Sequence, residues 1–583
     1  MLGRLFDLLS VKERKQATFL LMFIFIGMLL EILSIGLVFP LFSAIFDPGF
    51  ADSVGKYLGP AVDVSAIDTK VLIITMITVF FGLYVIKTII LVLILKKQLL
   101  FVYTLQADLS RRLFESYLMQ DYSFHIQRSS SELIRNTITE VNLLVQNGVL
   151  QLITLIAEVS VLVGVICFLL YIDPLVTLAA TIILAAVGGG FFQVVKSRIL
   201  SWGEERQLHE GLRIQHVQQG LGGIKEIKLL GKEDEFVSRF GFHTVAAAKV
   251  WRLAATTHQY PRLLLELVGV FIISLFMLTI VFRGIQIDEI LPVLAVFAAA
   301  SLRLIPSANR IVSALQVARF SLPAVHIIHT ELHGIVKSDR DDMISASSLI
   351  FRRDIVLDDI CYKYPGSGEY SLSNINLTIN HGDTVGFIGS SGAGKSTIVD
   401  LILGLLPPNL GTVCVDGANI EEHLRTWQSL IGYVPQTIYL SDESLRANIA
   451  YGIPEDDIDD VAVAAAIKSA QLSEFIESLS DGIYTSVGER GVRISGGQLQ
   501  RLGIARALYH DPNILVLDEA TSALDLITEA GVMDSIRGLQ GHKTIIIVTH
   551  RYSTVQHCNM IYKLQDGKII DQGPPSSLLK GTI

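Results

Sequence analysis

The sequence predicts a multidomain chain in which an all-α transmembrane domain of six helices precedes an α/β domain built around a strand, a glycine loop and a helix. Three observations carry that expectation. The 583 residues exceed what one hydrophobic core organises, so at least two domains are expected. At 51% hydrophobic and 18% charged residues, with a mean hydropathy of +0.50, the chain is too apolar for an ordinary soluble protein, and its long charge-poor runs point to membrane spans. Those runs all lie before about residue 320, and beyond them strand-like and helix-like runs alternate, the mark of an α/β fold.

Roughly 20 apolar residues cross a bilayer. Six segments of that order run over 17–46, 71–95, 146–172, 174–195, 262–282 and 286–320. The first is too long for a secretory signal and has no small-residue cleavage site, so it reads as the first membrane helix. Only Asp173 and Pro174 separate the third and fourth spans. The stretches 96–145 and 196–260 are long, charged and apolar at three- and four-residue spacing, which predicts helices projecting from the membrane. Their tips, near Asp121 to Arg128 and Ile224 to Lys232, are expected to touch the second domain.

Basic residues mark the cytoplasmic ends. Arg4, Lys12, Arg14 and Lys15 precede span one, Lys96, Lys97, Arg111 and Arg112 follow span two, and Lys196 and Arg198 follow span four; the segment after span one carries Asp47, Asp52, Asp63 and Asp68. The N-terminus and both long connections are therefore expected in the cytosol, and an even number of spans returns the chain there. The small, polar run from Lys337 to Ser348 gives a membrane domain over 1–335, a linker over 336–350 and a soluble domain over 351–583.

A net charge of −9 and a pI near 5.9 offer no basic surface with which to displace counterions, so nucleic acid is excluded as a partner. Cys167, Cys361, Cys414 and Cys558 show no metal-ligand spacing and read as packing residues.

Chemistry enters at Gly389-Ser390-Ser391-Gly392-Ala393-Gly394-Lys395-Ser396, which fits G-x-x-x-x-G-K-S/T between a predicted strand from Thr384 to Ile388 and a predicted helix from Thr397 to Leu405. Glycines let backbone N–H groups close on phosphate oxygens, and the helix N-terminus adds positive potential. Lys395 would reach the β- and γ-phosphates of ATP, and the Ser396 hydroxyl would ligate Mg²⁺. Further on, the apolar run Ile514 to Leu517 ends in Asp518, expected to hold Mg²⁺, and Glu519, placed to polarise an attacking water. The two elements together imply a nucleotide hydrolase.

Ile494-Ser495-Gly496-Gly497-Gln498-Leu499-Gln500-Arg501 then resembles the signature of the ATP-binding-cassette (ABC) family, with Ile at the usual Leu position. The rest of the family's set is present in order along the soluble domain. Tyr364 in CYKYP resembles the aromatic that stacks on adenine, Gln436 in YVPQ the residue that senses Mg²⁺, Ser522 to Asp525 the D-loop, and His550 the switch histidine at the γ-phosphate. Thr397 completes the phosphate-binding set, and Ser486 to Gly491 resembles the exporter-type loop that meets the membrane domain. The resemblance implies an ABC exporter whose signature turn, Ser495 to Gln498, faces the phosphate loop of a second subunit. With one membrane domain and one ATPase per chain, a homodimer hydrolysing ATP at two sites is expected, a heterodimer with a similar chain being the alternative.

Charges inside spans default to functional hypotheses. Lys87, Arg262 and Arg303 are candidate contacts for an anionic head group, with Ser307 and Arg310 on the Arg303 face and Glu31, Glu158 and Glu266 as competing partners. Tyr260-Pro261-Arg262 with Glu266, the run Arg303 to Ile311, and Gly223 to Phe236 resemble the bacterial flippases that turn polyprenyl-diphosphate-linked oligosaccharides across the inner membrane for protein glycosylation; Lys87 stands where those carry Arg. An exporter of drugs, other lipids or peptides is the alternative, and a non-transport ABC ATPase is excluded by the six spans. The 16 residues before the first span leave no room for the protease domain of a processing peptide exporter, which needs about 100 residues or more.

Overall fold

In the computed structural model, residues 2–38, 69–283, 287–334, 349–487, 494–520 and 526–578 are described. The acidic residues Asp47, Asp52, Asp63 and Asp68, the linker run from Lys337 to Ser348, the D-loop segment Ser522 to Asp525, and Gly488 to Gly491 lie outside them. The chain forms two compact units, one of Met1–Gln120 with Arg128–Lys337, the other of Asp121–Gln127 with Ser338–Ile583.

The first unit is helical because hydrocarbon offers no partner to a backbone N–H or C=O, and a helix satisfies both internally. Its helices are α1 (Leu2–Leu8), α2 (Val11–Gly36) and α3 (Thr69–Leu118), then, beyond a short α4 (Tyr122–Gln127), α5 (Ser130–Ile172), α6 (Pro174–Gly222), α7 (Ile224–Leu230), α8 (Glu233–Arg283), α9 (Ile287–Phe320) and α10 (Leu322–Gly334). The described parts of all six expected spans fall on helices of this unit, residues 39–46 of the first and residue 286 of the sixth lying outside the described residues. Among the described residues, α2, α3, α5 and α6 are long and apolar enough to cross a membrane on their own, and Val296–Phe320 of α9 with α10 are so only as a pair bent by 50°. The expected fifth span lies on α8, which runs through Pro261 without ending.

Helix boundaries obey capping chemistry. Ser10 and Glu13 close a capping box at the start of α2, each side chain accepting the other's backbone N–H. Asp173 accepts the N–H groups of Leu175 and Val176, and Pro174 at the first helical position needs no acceptor, so two residues suffice to turn α5 into α6. The α6 helix packs along α8, α9 along α5, and α2 against α3 and α5. At Gly203 a Cβ would lie 2.4 Å from the Phe320 carbonyl oxygen, so α6 approaches the end of α9 only because that position has no side chain.

One buried ion pair fixes the polar part of this unit. Two π-helical stretches in α5, Arg135–Glu140 and Leu144–Val149, set the register of Glu140. Its carboxylate takes the Arg206 guanidinium by two parallel contacts of 3.1 and 2.9 Å, and Glu210 adds a third at 2.9 Å. Burial works against the Arg206 charge, but hydrogen bonding and attraction from Glu140 and Glu210 outweigh it and raise the pKa.

The second unit holds two sheets. An antiparallel sheet has strand order β2 (Leu372–Asn380), β1 (Asp354–Tyr362), β4 (Leu410–Val415), β5 (Ala418–Asn419). The other has order β10 (Lys568–Gly573), β9 (Met560–Gln565), β3 (Thr384–Gly389), β8 (Thr544–Val548), β7 (Ile514–Asp518), β6 (Ile431–Val434), parallel from β9 through β6. Every residue of β7 and β8 is buried, as expected of central parallel strands covered on both faces. The helices of this unit include α11 (Lys395–Ile402), which comes after β3, and α12 (Gly496–Leu508), which precedes β7. The α4 helix groups with this unit, where burial, then Asp400 and Tyr364, push the Tyr122 hydroxyl up; the second expected tip, α7, groups with the helical unit.

Replacing Glu140 with Ala leaves the Arg206 charge buried with Glu210 alone, an expected loss of about 3 kcal/mol, whereas the apolar pair Glu140→Leu with Arg206→Met should cost far less. Thermal unfolding of the detergent-solubilised protein measures both, and a single variant that melts with the wild type removes the assigned role.

Candidate functional site

Strand order decides which residues meet. Because β3, β8, β7 and β6 run parallel, the segments beyond their carboxyl ends emerge at one edge, where α/β sheets gather their ligands. The loop Gly389 to Ser396 leaves β3, Asp518 and Glu519 close β7, His550 lies just beyond β8, and Gln436 just beyond β6.

Within the loop, Gly394 has φ 99° and caps α11, and a Cβ there would meet the Leu372 side chain at 2.6 Å; Gly392 is also left-handed, at φ 80°. Ser390, Ser391 and Ser396 are exposed and Ala393 is buried. Lys395 is only 5% exposed, and its ammonium donates to the carbonyl oxygens of Gly389 (3.1 Å) and Ser390 (2.9 Å). Burial lowers its pKa, and Glu519 and Asp518 offset part of that. The cation is thus held across the loop whose backbone N–H groups would receive phosphate.

Glu519 is the hub of the edge. The Gln436 amide donates to its Oε2 at 2.6 Å, His550 Nε2 stands 2.5 Å from its Oε1, and His550 Nδ1 stands 2.9 Å from the Gly389 carbonyl oxygen. One carboxylate therefore links the residues after β6 and β8, and the imidazole carries the connection to the phosphate loop. The Glu519 backbone is left-handed at φ 49°, a conformation non-glycine residues adopt at a cost, and it is tied by an N–H donated to the Val548 carbonyl oxygen at 2.9 Å.

Asp518, beside it, is 7% exposed. Burial and then Glu519 raise its pKa, while Lys395 and a hydrogen bond from the Tyr433 hydroxyl oppose the rise. Asp518, the Ser396 hydroxyl and the Gln436 amide oxygen are hard donors of the kind Mg²⁺ takes, completed by water and phosphate oxygens. Among the described residues no group of three or more His, Cys, Asp or Glu is placed to hold a metal.

Tyr364, expected at the adenine, places its hydroxyl 3.1 Å from Thr397 Oγ1, close to the loop. Ser495 caps α12, accepting from the Gln498 N–H at 3.3 Å while the Gln498 side chain accepts the Ser495 N–H at 2.9 Å; Gly496 and Gly497 form the first turn. Of the exporter-type loop, Val487 is buried and donates its N–H to the Glu443 carbonyl oxygen. Two residues escape a reading of the sequence. Tyr433 is hidden inside an ordinary strand pattern, and Asp400, whose carboxyl burial and then Asp518 push up to about 6, is one acid among the apolar residues of α11.

Comparison with known proteins agrees with this geometry. The model of the ABC transporter family matches residues 372–522, and that of the ABC transporter transmembrane region matches residues 17–300. An ATP-dependent lipid A-core flippase of Cupriavidus metallidurans is 30% identical over 80% of this chain and 78% of its own length. The chain belongs to the ABC transporter family. An ATP-dependent lipid A-core flippase of Cupriavidus pinatubonensis is 27% identical over 92% of this chain and 88% of its own. In fold, the transporter is similar to a bacterial Atm1-family ABC exporter with ATP bound, with a TM-score of 0.81 at 22% identity over 97% of both chains. It is therefore a membrane-spanning transporter whose α/β unit binds ATP and whose hydrolysis of ATP is coupled to translocation.

The membrane half of the transporter separates the three candidate cargo cations. Lys87 Nζ lies 2.9 Å from Glu31 Oε2, and Arg303 Nη2 lies 3.3 Å from Glu31 Oε1, so these two meet on one carboxylate. Arg262 lies apart on α8, largely exposed and paired with Glu266 at 3.0 Å. Arg310 is spent on Glu158 through two contacts, of 2.5 and 3.1 Å.

Glu519→Gln should keep nucleotide binding and lower steady-state ATP hydrolysis by about 10²- to 10⁴-fold, the range a general base supplies. His550→Ala, which cuts the link from Glu519 to the phosphate loop, should also lower turnover strongly with binding kept. Nucleotide binding and phosphate release measured side by side decide both, and undiminished hydrolysis in Glu519→Gln would reject it as the base.

Proposed function

We propose that the transporter is a homodimeric flippase of the inner membrane, with its N-terminus and ATPase cytoplasmic, that turns an anionic lipid with a large polar head, a polyprenyl-diphosphate-linked oligosaccharide. The observation that carries the anionic cargo is charge balance at membrane depth: among the described residues Lys87 and Arg303 share one carboxylate, Glu31, which leaves one positive charge in excess among these buried or half-buried groups. An unmatched cation in that setting is costly and is kept where a ligand completes it. The relatives named as lipid A-core flippases support a lipid with a bulky head, and lipid A-core itself is the second reading.

The carboxyl edge of the parallel sheet would bind ATP with Mg²⁺. Gly389 to Thr397 wrap the phosphates, Lys395 moves from its loop carbonyls onto the β- and γ-phosphates, and Tyr364 stacks on adenine. Ser396, Gln436 and Asp518 would hold Mg²⁺, which would offset charge on the phosphates, while Glu519, oriented by Gln436 and His550, would take the proton of the attacking water. Ser495 to Gln498 of a second copy close over the γ-phosphate with the positive end of α12. Closure of two such sites drives the membrane helices through the projecting tips, and hydrolysis resets them.

Two measurements test this. In a background lacking the four native cysteines, Ser391→Cys with Ser495→Cys should form an inter-chain disulfide with ATP when Glu519→Gln blocks hydrolysis, and a chain that stays monomeric there defeats the dimer. In proteoliposomes, a polyprenyl-diphosphate glycan should stimulate ATPase and be translocated while a neutral polyprenol is not; a response to lipid A-core alone selects the second reading.

A further inference from the structure

The cations around Glu31 are not equivalent. Lys87 is saturated: its ammonium meets the Glu31 carboxylate and the Ser34 hydroxyl, both at 2.9 Å, and sits 4.3 Å above the Tyr84 ring. Lys87, Glu31 and Ser34 are all buried. Arg303 is not saturated. A guanidinium has five N–H donors, and the Arg303 side chain, 27% exposed, touches Glu31 at 3.3 Å, long for a charge-assisted pair. Its Nε is buried without a partner among the described residues, and so is the Oγ of Ser307, a fully buried residue one turn along α9. Two polar groups on one helix face are thus desolvated and unmet, a state that costs free energy unless something fills it. Arg262 and Arg310, by contrast, each hold a carboxylate through hydrogen bonds.

We propose that Glu31 is a displaceable counter-ion: it holds Arg303 in the cargo-free transporter, and an anionic oxygen of the cargo replaces it there, with Ser307 as a second donor, while Lys87 keeps Glu31. Lys87 is then a positioning residue, and Arg303 with Ser307 is the point of contact. The asymmetry of the distances sets the order of exchange, since the long Arg303 contact yields before the short Lys87 one. Glu31 also sets selectivity, because a neutral lipid gains nothing by displacing a carboxylate. This rests on the anionic-cargo reading above.

The test reads ATPase stimulation in phosphatidylcholine nanodiscs doped with a short polyprenyl diphosphate or the matching polyprenol. Removing the competitor by Glu31→Gln should lower the half-stimulating diphosphate concentration about tenfold, the effect of one nearby charge in a partly screened site, with the maximal rate changed much less. Glu31→Gln with Lys87→Met should show the same shift if Glu31→Gln folds poorly from its stranded lysine, and Arg303→Met should lose the stimulation in either background. An unchanged or higher half-stimulating concentration in both Glu31 variants, or stimulation that survives Arg303→Met, overturns the proposal. If the wild type responds to neither lipid, the anionic-cargo reading falls with it; if it responds and the Glu31 variants do not shift, only the counter-ion role falls.

Discussion

Hydrocarbon offers neither hydrogen-bond partners nor solvation for charge, and the membrane half of this transporter is arranged around that lack. The backbone answers it with long helices. Charged side chains answer it by finding one another across helices far apart in sequence, as Glu31 does with Lys87 and Arg303, and Glu158 with Arg310. An ion pair formed this way is not a large source of stability, because desolvation consumes most of the attraction. Its consequence is specificity of arrangement: α2, α3 and α9 can meet in few ways that leave Glu31 compensated.

The same logic operates where the helices leave the membrane. Arg206 and Glu140 are both fully buried, and their two parallel contacts fix α6 against the π-helical part of α5. A regular α-helix would turn Glu140 by a fraction of a turn relative to its neighbours, so the widened stretches and the ion pair belong to one solution.

In the α/β unit the organising demand is different, namely to gather donors for phosphate without filling the space phosphate needs. Glycines do this in the loop, and parallel strand order does it for everything else. Glu519 gathers Gln436 and His550 at the end of β7 in a left-handed backbone conformation that costs on the order of 1–3 kcal/mol. That cost is sustained by the buried strands β7 and β8 beneath it, whose pairing fixes the Glu519 N–H on Val548. Strain at Glu519 is thus held by core packing rather than by the site itself.

Much of this was legible in the chain alone, because it is written in local rules. Span lengths come from bilayer thickness, the turn at Asp173 and Pro174 from capping chemistry, and the phosphate loop from residues that must be contiguous to work. Membership of the ABC transporter family rested on such contiguous segments, and so did the candidate site residues at Lys395, Asp518, Glu519 and Ser495. What the sequence could not fix is who faces whom. Lys87, Arg262 and Arg303 are all candidate cargo contacts along the chain, and only packing assigns the first and third to Glu31 while leaving Arg262 to its own helix. Tyr433 and Asp400 gain meaning from Asp518 across elements distant in sequence, and the Glu140 to Arg206 pair from helices that meet only in three dimensions. Local sequence determines elements because their forces act over a few residues; the pairing of charges depends on tertiary approach and on the dielectric it creates.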